Sequence, residues 1–275
     1  MKNEIKNKYP NWCSDSTTKF DLILSDDLDS LLSCLFLQQI KGHKINHFYD
    51  FNNLFRSKES TNPTIGVDID LVRGYCWGNH VTMLTPDDMG VNLNCANLNV
   101  INKISKSDYF HKYAGNTILQ ILSYYEYDIS DFSEEAKMIL LCIDSQYLGY
   151  YSKYENDRNA NKQYLCDVLE YEELYKLLKR HSASEFVSLQ EKYKLKEKIR
   201  IDSEGKLETK IDLNSLSKIL NLPFLLPQDV FTVTQSFDNR SYDKPLNVDY
   251  KNSKLDKIFS FAVTSLKEVK YSVIK

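Results

Sequence analysis

The residues with chemistry to offer in this chain are acidic, and they stand at the ends of apolar segments. The run SDDLDS at residues 25–30 sets Asp27 and Asp29 in a D-x-D pair. Two carboxylates that close repel each other and raise each other's pKa unless a cation sits between them. Hard divalent ions such as Mg²⁺ and Mn²⁺ prefer oxygen ligands, so such a pair points to a metal site. The competing use is structural, as N-cap and first-turn charge of the helix that follows. Asp68, in the run VDID at 67–70, ends a second apolar segment. His80 follows Asn79 in YCWGNHVTM and offers an imidazole to a metal or a phosphate, with a hydrogen-bonded core position as the alternative. Asp144, in LLCIDSQYLGYY, closes an apolar helical run, where the macrodipole disfavours a carboxylate. An acid placed against its local preference calls for a partner, and a cation is the simplest. Four separate segments that end in acid or histidine make a stronger pattern than any one of them.

The elements that must position these groups alternate in type. Residues 19–24 (KFDLIL) read as a short buried strand, and Leu31, Leu32, Leu35, Phe36 and Ile40 then recur at helical spacing up to Lys41-Gly42. Residues 45–49 and 64–67 read as two further strands, and 75–83 holds a fourth. This β-α-β-β order predicts an α/β fold with a mainly parallel sheet flanked by helices. In such a sheet ligands bind outside the carboxyl ends of the strands, where Asp27, Asp29 and Asp68 fall. An amphipathic helix is predicted at 117–125, and another begins at Ser133 with Glu134 and Glu135 in its first turn. Residues 162–198 are helical and charged, the pattern of a connector or a helix solvated on one face. Beyond them come a hairpin turning at Ser203-Glu204-Gly205, a short helix at 213–220, and strands at 230–237 and 259–266. The predicted organisation is a metal-binding domain over 1–160, a helical connector over 161–198, and a smaller α+β substrate-binding or capping domain over 199–275.

Composition narrows the classes. The chain has 275 residues, 42% hydrophobic and 27% charged, with a formal net charge of -3, the profile of an ordinary globular protein. Its apolar runs fall well short of the roughly 20 residues of a membrane span, and the N-terminal MKNEIKNKYPNWC lacks the apolar stretch of a secretory signal. The charge excludes binding of nucleic acid by bulk basicity. Six cysteines with no C-x-x-C pair read as reduced core residues, which implies a cytoplasmic setting. The richness in Lys, Asn, Ile and Tyr resembles an AT-rich bacterial or phage genome. Only 8 Gly and 6 Pro argue against glycine-built phosphate loops.

Taken in order, the acidic segments resemble the DHH phosphoesterase superfamily, which includes RecJ-type exonucleases and small oligonucleotide hydrolases. LILSDDLDSLLS is similar to the family's first motif, TIGVDID to its second, Gly78-Asn79-His80 to its Asp-His-His, and EEAKMILLCIDSQYLGYY to its fourth. The resemblance spans about residues 19–152. It departs at Ser25, where the family has His or Asp and where Asp26 could substitute, and at Gly78 and Asn79, where the family has Asp and His. It implies a hydrolase holding two Mn²⁺ or Mg²⁺ ions: Asp68 bridging them, Asp27 on one, and Asp29, Asp144 and Asn79 on the other. It further implies His80 facing the scissile phosphate, water activated by metal, and a nucleotide or single-stranded DNA or RNA as substrate. Ser25, Asp26 and Arg240, in SFDNRSYDK, are the candidate substrate contacts. The altered residues leave a second reading, a catalytically degenerate chain that binds a nucleotide or a protein partner, itself included as a homodimer. A third is an unrelated α/β phosphatase with Asp27 as nucleophile.

Overall fold

A computed structural model describes residues 1–242, 251 and 254–275. The strands that lead to Asp27, Asp68 and His80 belong to a single large sheet. Its first strands are β1 (Asp21–Leu24), β2 (Lys44–Tyr49), β3 (Asn53–Ser57), β4 (Thr64–Val67), β5 (Tyr75–Trp77) and β6 (Cys95–Ala96). A separate hairpin pairs β7 (Ile199–Ile201) with β8 (Leu207–Thr209), and β9 (Phe231–Tyr242), β10 (Ile258–Val263) and β11 (Val269–Ile274) return to the large sheet. Its strand order is β10-β11-β9-β3-β2-β1-β4-β5-β6.

The sheet is mixed, which corrects the mainly parallel arrangement expected. The β2-β1-β4-β5-β6 half is parallel. The β10-β11-β9-β3-β2 half is antiparallel. The change of direction occurs at residues 50–52, where Asp50 Oδ1 accepts the backbone N–H groups of Asn52 and Asn53 and Phe51 takes a positive φ of 70°. A link that short joins only antiparallel neighbours.

The smaller C-terminal domain expected at 199–275 is not seen as a separate body. Strand β9 pairs directly with β3, and the sheet curls until β10 meets the loops after β4 and β5. Val72 N donates to Phe259 O (2.9 Å), Phe261 N to Asp70 O (3.0 Å) and Val263 N to Val81 O (2.8 Å). Part of the 199–275 segment, residues 243–250 and 252–253, lies outside the described residues.

The helices cover one face. Helix Leu28–Lys41 packs on β1, β2 and β4 and against helix Thr117–Tyr124. Helix Glu134–Cys142 packs against Ala183–Lys192. The 162–198 region is more than a connector: Leu165, Leu174, Leu177, Leu178 and Phe186 are buried and join the main core. Among the described residues no helix is long and apolar enough to cross a membrane. All six cysteines are unpaired, five of them buried.

Candidate metal centre

The carboxyl ends of β1 and β4, the N-terminus of helix Thr117–Tyr124 and the turn after helix Glu134–Cys142 converge. There Asp29, Asp68 and Asp144 each bring one carboxylate oxygen to within 4.8 Å of the others. Three of the four expected acids therefore meet, from segments spread over more than a hundred residues of the chain.

The two members of the D-x-D pair divide the roles that the sequence left open. Asp27 is the N-cap of helix Leu28–Lys41, its Oδ1 accepting Ser30 N at 3.2 Å, while its Oδ2 lies 3.3 Å from Lys198 Nζ. Asp29, two residues on, is 1% exposed and belongs to the cluster. It accepts from the backbone of the opposing helix, Thr117 N at 2.6 Å and Ile118 N at 2.9 Å. Those are orphan donors of a helix N-terminus, which favours a carboxylate. Thr117 Oγ1 also donates to Asp68 Oδ1 at 2.8 Å. Ser30 ties β1 to β4: its Oγ accepts Ser25 N (2.7 Å) and donates to Val67 O (2.7 Å).

Two of the three clustered acids have left-handed backbones, Asp68 at φ 58° and Asp144 at φ 52°. An L-residue pays about 1 kcal/mol or more for that conformation. Glycine would adopt it freely and would carry no ligand.

Electrostatics mark the cluster as short of positive charge. Burial, then the charges of Asp144 and Asp27, push the Asp29 carboxyl well above the usual carboxylate range, although the two backbone N–H groups oppose this. Asp68 is pushed well up by burial and by Asp29, Asp27 and Asp144. Asp144 is pushed up to about 6 by burial and Asp27, against His80 and the hydrogen bond from Asn79. A bound cation or protons would relieve all three.

Asn79 is hydrogen-bonded to the cluster. It is 5% exposed. Its Nδ2 donates to Gly115 O (3.2 Å) and to Asp144 Oδ2 (2.9 Å), which fixes the amide's orientation because a carbonyl oxygen accepts only from the nitrogen. Its Oδ1 is left buried with no hydrogen-bond partner. Ser25 Oγ, at the end of β1, is a second buried atom without one. The three carboxylates make a hard oxygen donor set, so the residues fit Mg²⁺ or Mn²⁺.

His80 is held by a residue that the sequence reading did not select. Its Nδ1 lies 2.9 Å from Asp70 Oδ2, and its backbone N donates to the same oxygen at 3.3 Å. Asn97 Nδ2 donates to Asp70 Oδ1 at 2.7 Å. The Asp70 carboxylate occupies the space that a side chain at Gly78 would fill, so any Cβ there would collide with it. Burial disfavours the charged imidazole, but the hydrogen bond to Asp70 and the charges of Asp70 and Asp144 outweigh it and raise the His80 pKa.

Of the expected substrate contacts, Asp26 is drawn to Lys198 (2.9 Å) and Ser25 is buried beneath the cluster. Arg240 pairs with Asp238 at 3.7 Å on β9. It is aligned with Tyr271 of β11, then Phe261 of β10, then Asp70, three strand spacings or about 14 Å along the sheet.

Beside Asp144 opens a cavity of about 840 Å³, walled by Tyr109, Tyr151, Tyr154 and Tyr164 with Lys112 at its edge. Lys112 Nζ lies 4.3 Å from the Tyr109 ring centre, and burial pushes its pKa down to about 8 although Asp157 and Asp144 oppose the change.

Asp70, Thr117 and Lys198 are the residues of this region that sequence reasoning missed. Asp70 had a signal, a second aspartate two positions after Asp68. Thr117 had one too, following Asn116 at a helix start. Lys198, one lysine in a charged stretch, had none. Compared with known proteins, the chain matches no protein-family model, no curated protein and no solved structure.

Proposed function

We propose that this chain is a divalent-metal-dependent phosphoesterase of the DHH type that hydrolyses phosphodiester bonds of short single-stranded DNA or RNA. The observation that carries this reading is the Asp29–Asp68–Asp144 triad, three carboxylate oxygens within 4.8 Å of one another. These three carboxylates would hold Mn²⁺ or Mg²⁺. Such an ion, when bound, lowers the pKa of water and polarises a phosphoryl oxygen. The order of Asp29, Asp68, His80 and Asp144 along the chain supports the DHH type.

The chain's own groups have distinct tasks. Asp70 engages Nδ1 of His80, which leaves Nε2 to donate a proton or hydrogen bond to a phosphate oxygen. The imidazole is 41% exposed, so a substrate can reach it. Lys112 offers positive charge to a neighbouring phosphate, and the tyrosine walls offer faces for base stacking.

One observation favours the second reading, a nucleotide-binding chain without turnover. Asn79 turns its donor, not its carbonyl, toward Asp144. A single panel separates the two readings. The full chain is incubated with Mn²⁺ or Mg²⁺ and labelled oligonucleotides, dinucleotides, pyrophosphate and polyphosphate, beside Asp68→Ala. Metal-dependent cleavage of oligonucleotides that is lost in Asp68→Ala is the expected result. Cleavage that survives the substitution refutes the assignment, and saturable nucleotide binding without turnover establishes the second reading.

A further inference from the structure

We propose that the centre is built for one divalent ion, with the ammonium of Lys198 standing where a second ion would be needed. The inference rests on the metal-dependent reading above and specifies its stoichiometry. In two-metal sites the ions lie about 3.5–4 Å apart and share carboxylates, so a second ion here would need acceptor oxygens adjoining the triad. Asp27 is the acid whose charge reaches all three members of the triad, Asp26 precedes it, and both are committed. Lys198 Nζ lies 2.9 Å from Asp26 Oδ1 and 3.3 Å from Asp27 Oδ2. The other oxygen of Asp27 caps its helix through Ser30 N at 3.2 Å.

The lysine is placed there by the backbone on both sides. Ile199 N donates to Asp26 O at 2.7 Å, which binds the start of β7 to the acidic turn, and Thr209 Oγ1 donates to Lys198 O at 3.1 Å. An ammonium is a compact charge with three donors and no acceptor. It can neutralise Asp26 and Asp27 but cannot polarise a phosphoryl oxygen as a divalent ion does. The remaining acceptor capacity then lies around the triad. Both oxygens of Asp29, Oδ1 of Asp68 and Oδ2 of Asp144 each already accept one hydrogen bond, which leaves their second lone pairs and the other oxygens of Asp68 and Asp144. That donor set suits one ion.

The test is Mn²⁺ stoichiometry of the full chain by calorimetry and metal analysis, with electron paramagnetic resonance to tell an isolated ion from an exchange-coupled pair. Wild type is expected to bind one Mn²⁺ with the spectrum of an isolated ion. Lys198→Met, at a half-exposed position, is expected to bind two with a coupled spectrum, and Lys198→Arg, which keeps the charge, one. Circular dichroism confirms that each variant is folded. Two ions in wild type, or one in Lys198→Met, overturn this inference and leave the metal-dependent reading standing. No ion in folded wild type overturns both.

Discussion

Replacing Asp68 by asparagine separates a metal ligand from a structural carboxylate. Asparagine keeps the acceptor used by Thr117 Oγ1 at 2.8 Å and tolerates the φ of 58°, so the substitution removes a charge and little else. In the metal-free protein at pH 7 that charge is costly, because burial and the neighbouring acids Asp29, Asp27 and Asp144 all disfavour it. Metal-free Asp68→Asn should therefore melt above metal-free wild type. Added Mn²⁺ reverses the order. At a concentration 100 times Kd, a ligand that binds only the native state adds about 2.7 kcal/mol. For a chain of 275 residues that is a rise in Tm of roughly 5 °C, at about 2 °C per kcal/mol. If loss of the carboxylate weakens binding about 100-fold, the variant at the same Mn²⁺ gains only about 0.4 kcal/mol, a rise of about 1 °C. Thermal melts with EDTA and with Mn²⁺, wild type beside variant, read all four values. An equal Mn²⁺ rise in both proteins, or a metal-free variant that melts below wild type, would refute the argument that Asp68 is an unpaired charge awaiting a cation.

Three further outcomes follow from local geometry. Gly78→Ala should lose about 1–3 kcal/mol in urea unfolding, because its Cβ collides with the Asp70 carboxylate, and a neutral result would mean that Asp70 does not fill that space. Ser30→Ala should lose about 1–3 kcal/mol by stranding Ser25 N and Val67 O, both buried, and an unchanged urea midpoint would rule out the strand tie. His43 is 5% exposed, its Nδ1 accepts Phe20 N at 3.4 Å, and burial followed by the charges of Lys41 and Lys19 pushes its pKa down to about 4. The unfolded chain takes up this proton near pH 6.5, so the stability contributed by neutral His43 is complete above about 6.5 and is lost as pH falls toward 4, by at most about 3 kcal/mol. Urea midpoints at pH 7 and 4.5 should fall less in His43→Gln than in wild type, and parallel slopes would remove the assignment. Asp144 works in the opposite sense, since its carboxyl, raised to about 6, penalises the metal-free fold as pH rises from about 4 toward 6.

The strands that could be read from sequence are those buried on both faces. Residues 21–24 and 64–67 are apolar enough to announce themselves, and with Leu28–Lys41 they place Asp29 and Asp68 on one edge. Strand β3 (NLFRS) carries Arg56 on an exposed position, and β6 is two residues long, so neither has a usable period. The 162–198 region misleads because its charged residues are frequent while its buried ones, such as Leu165, Leu174 and Phe186, fall on short helices interrupted by a π turn at Gln163–Val168. At the site, residue type located Asp29, Asp68 and Asp144, since each follows an apolar segment. Spacing could not decide which member of the D-x-D pair caps the helix. The pairings of Asp70 with His80 and of Lys198 with Asp26 and Asp27 are tertiary contacts, and local sequence carries no trace of them.

The C-terminal strands acquire a purpose once the sheet is seen to close on itself. Strand β10 hydrogen-bonds to Asp70 O and Val81 O, the backbones on which Asp68, Asp70 and His80 are carried. Lys251 adds a buried brace, its Nζ donating to Thr82 O (2.9 Å) and Asp88 Oδ2 (2.7 Å) just beyond His80. A brace is required because the site is built with unfavourable parts: two aspartates in left-handed backbone and three crowded carboxylates whose charges oppose folding. Glycine would relieve the backbone at 68 and 144 but would carry no carboxylate. At 30 a serine hydroxyl stitches β1 to β4. At 78 glycine leaves the space that admits the carboxylate holding His80.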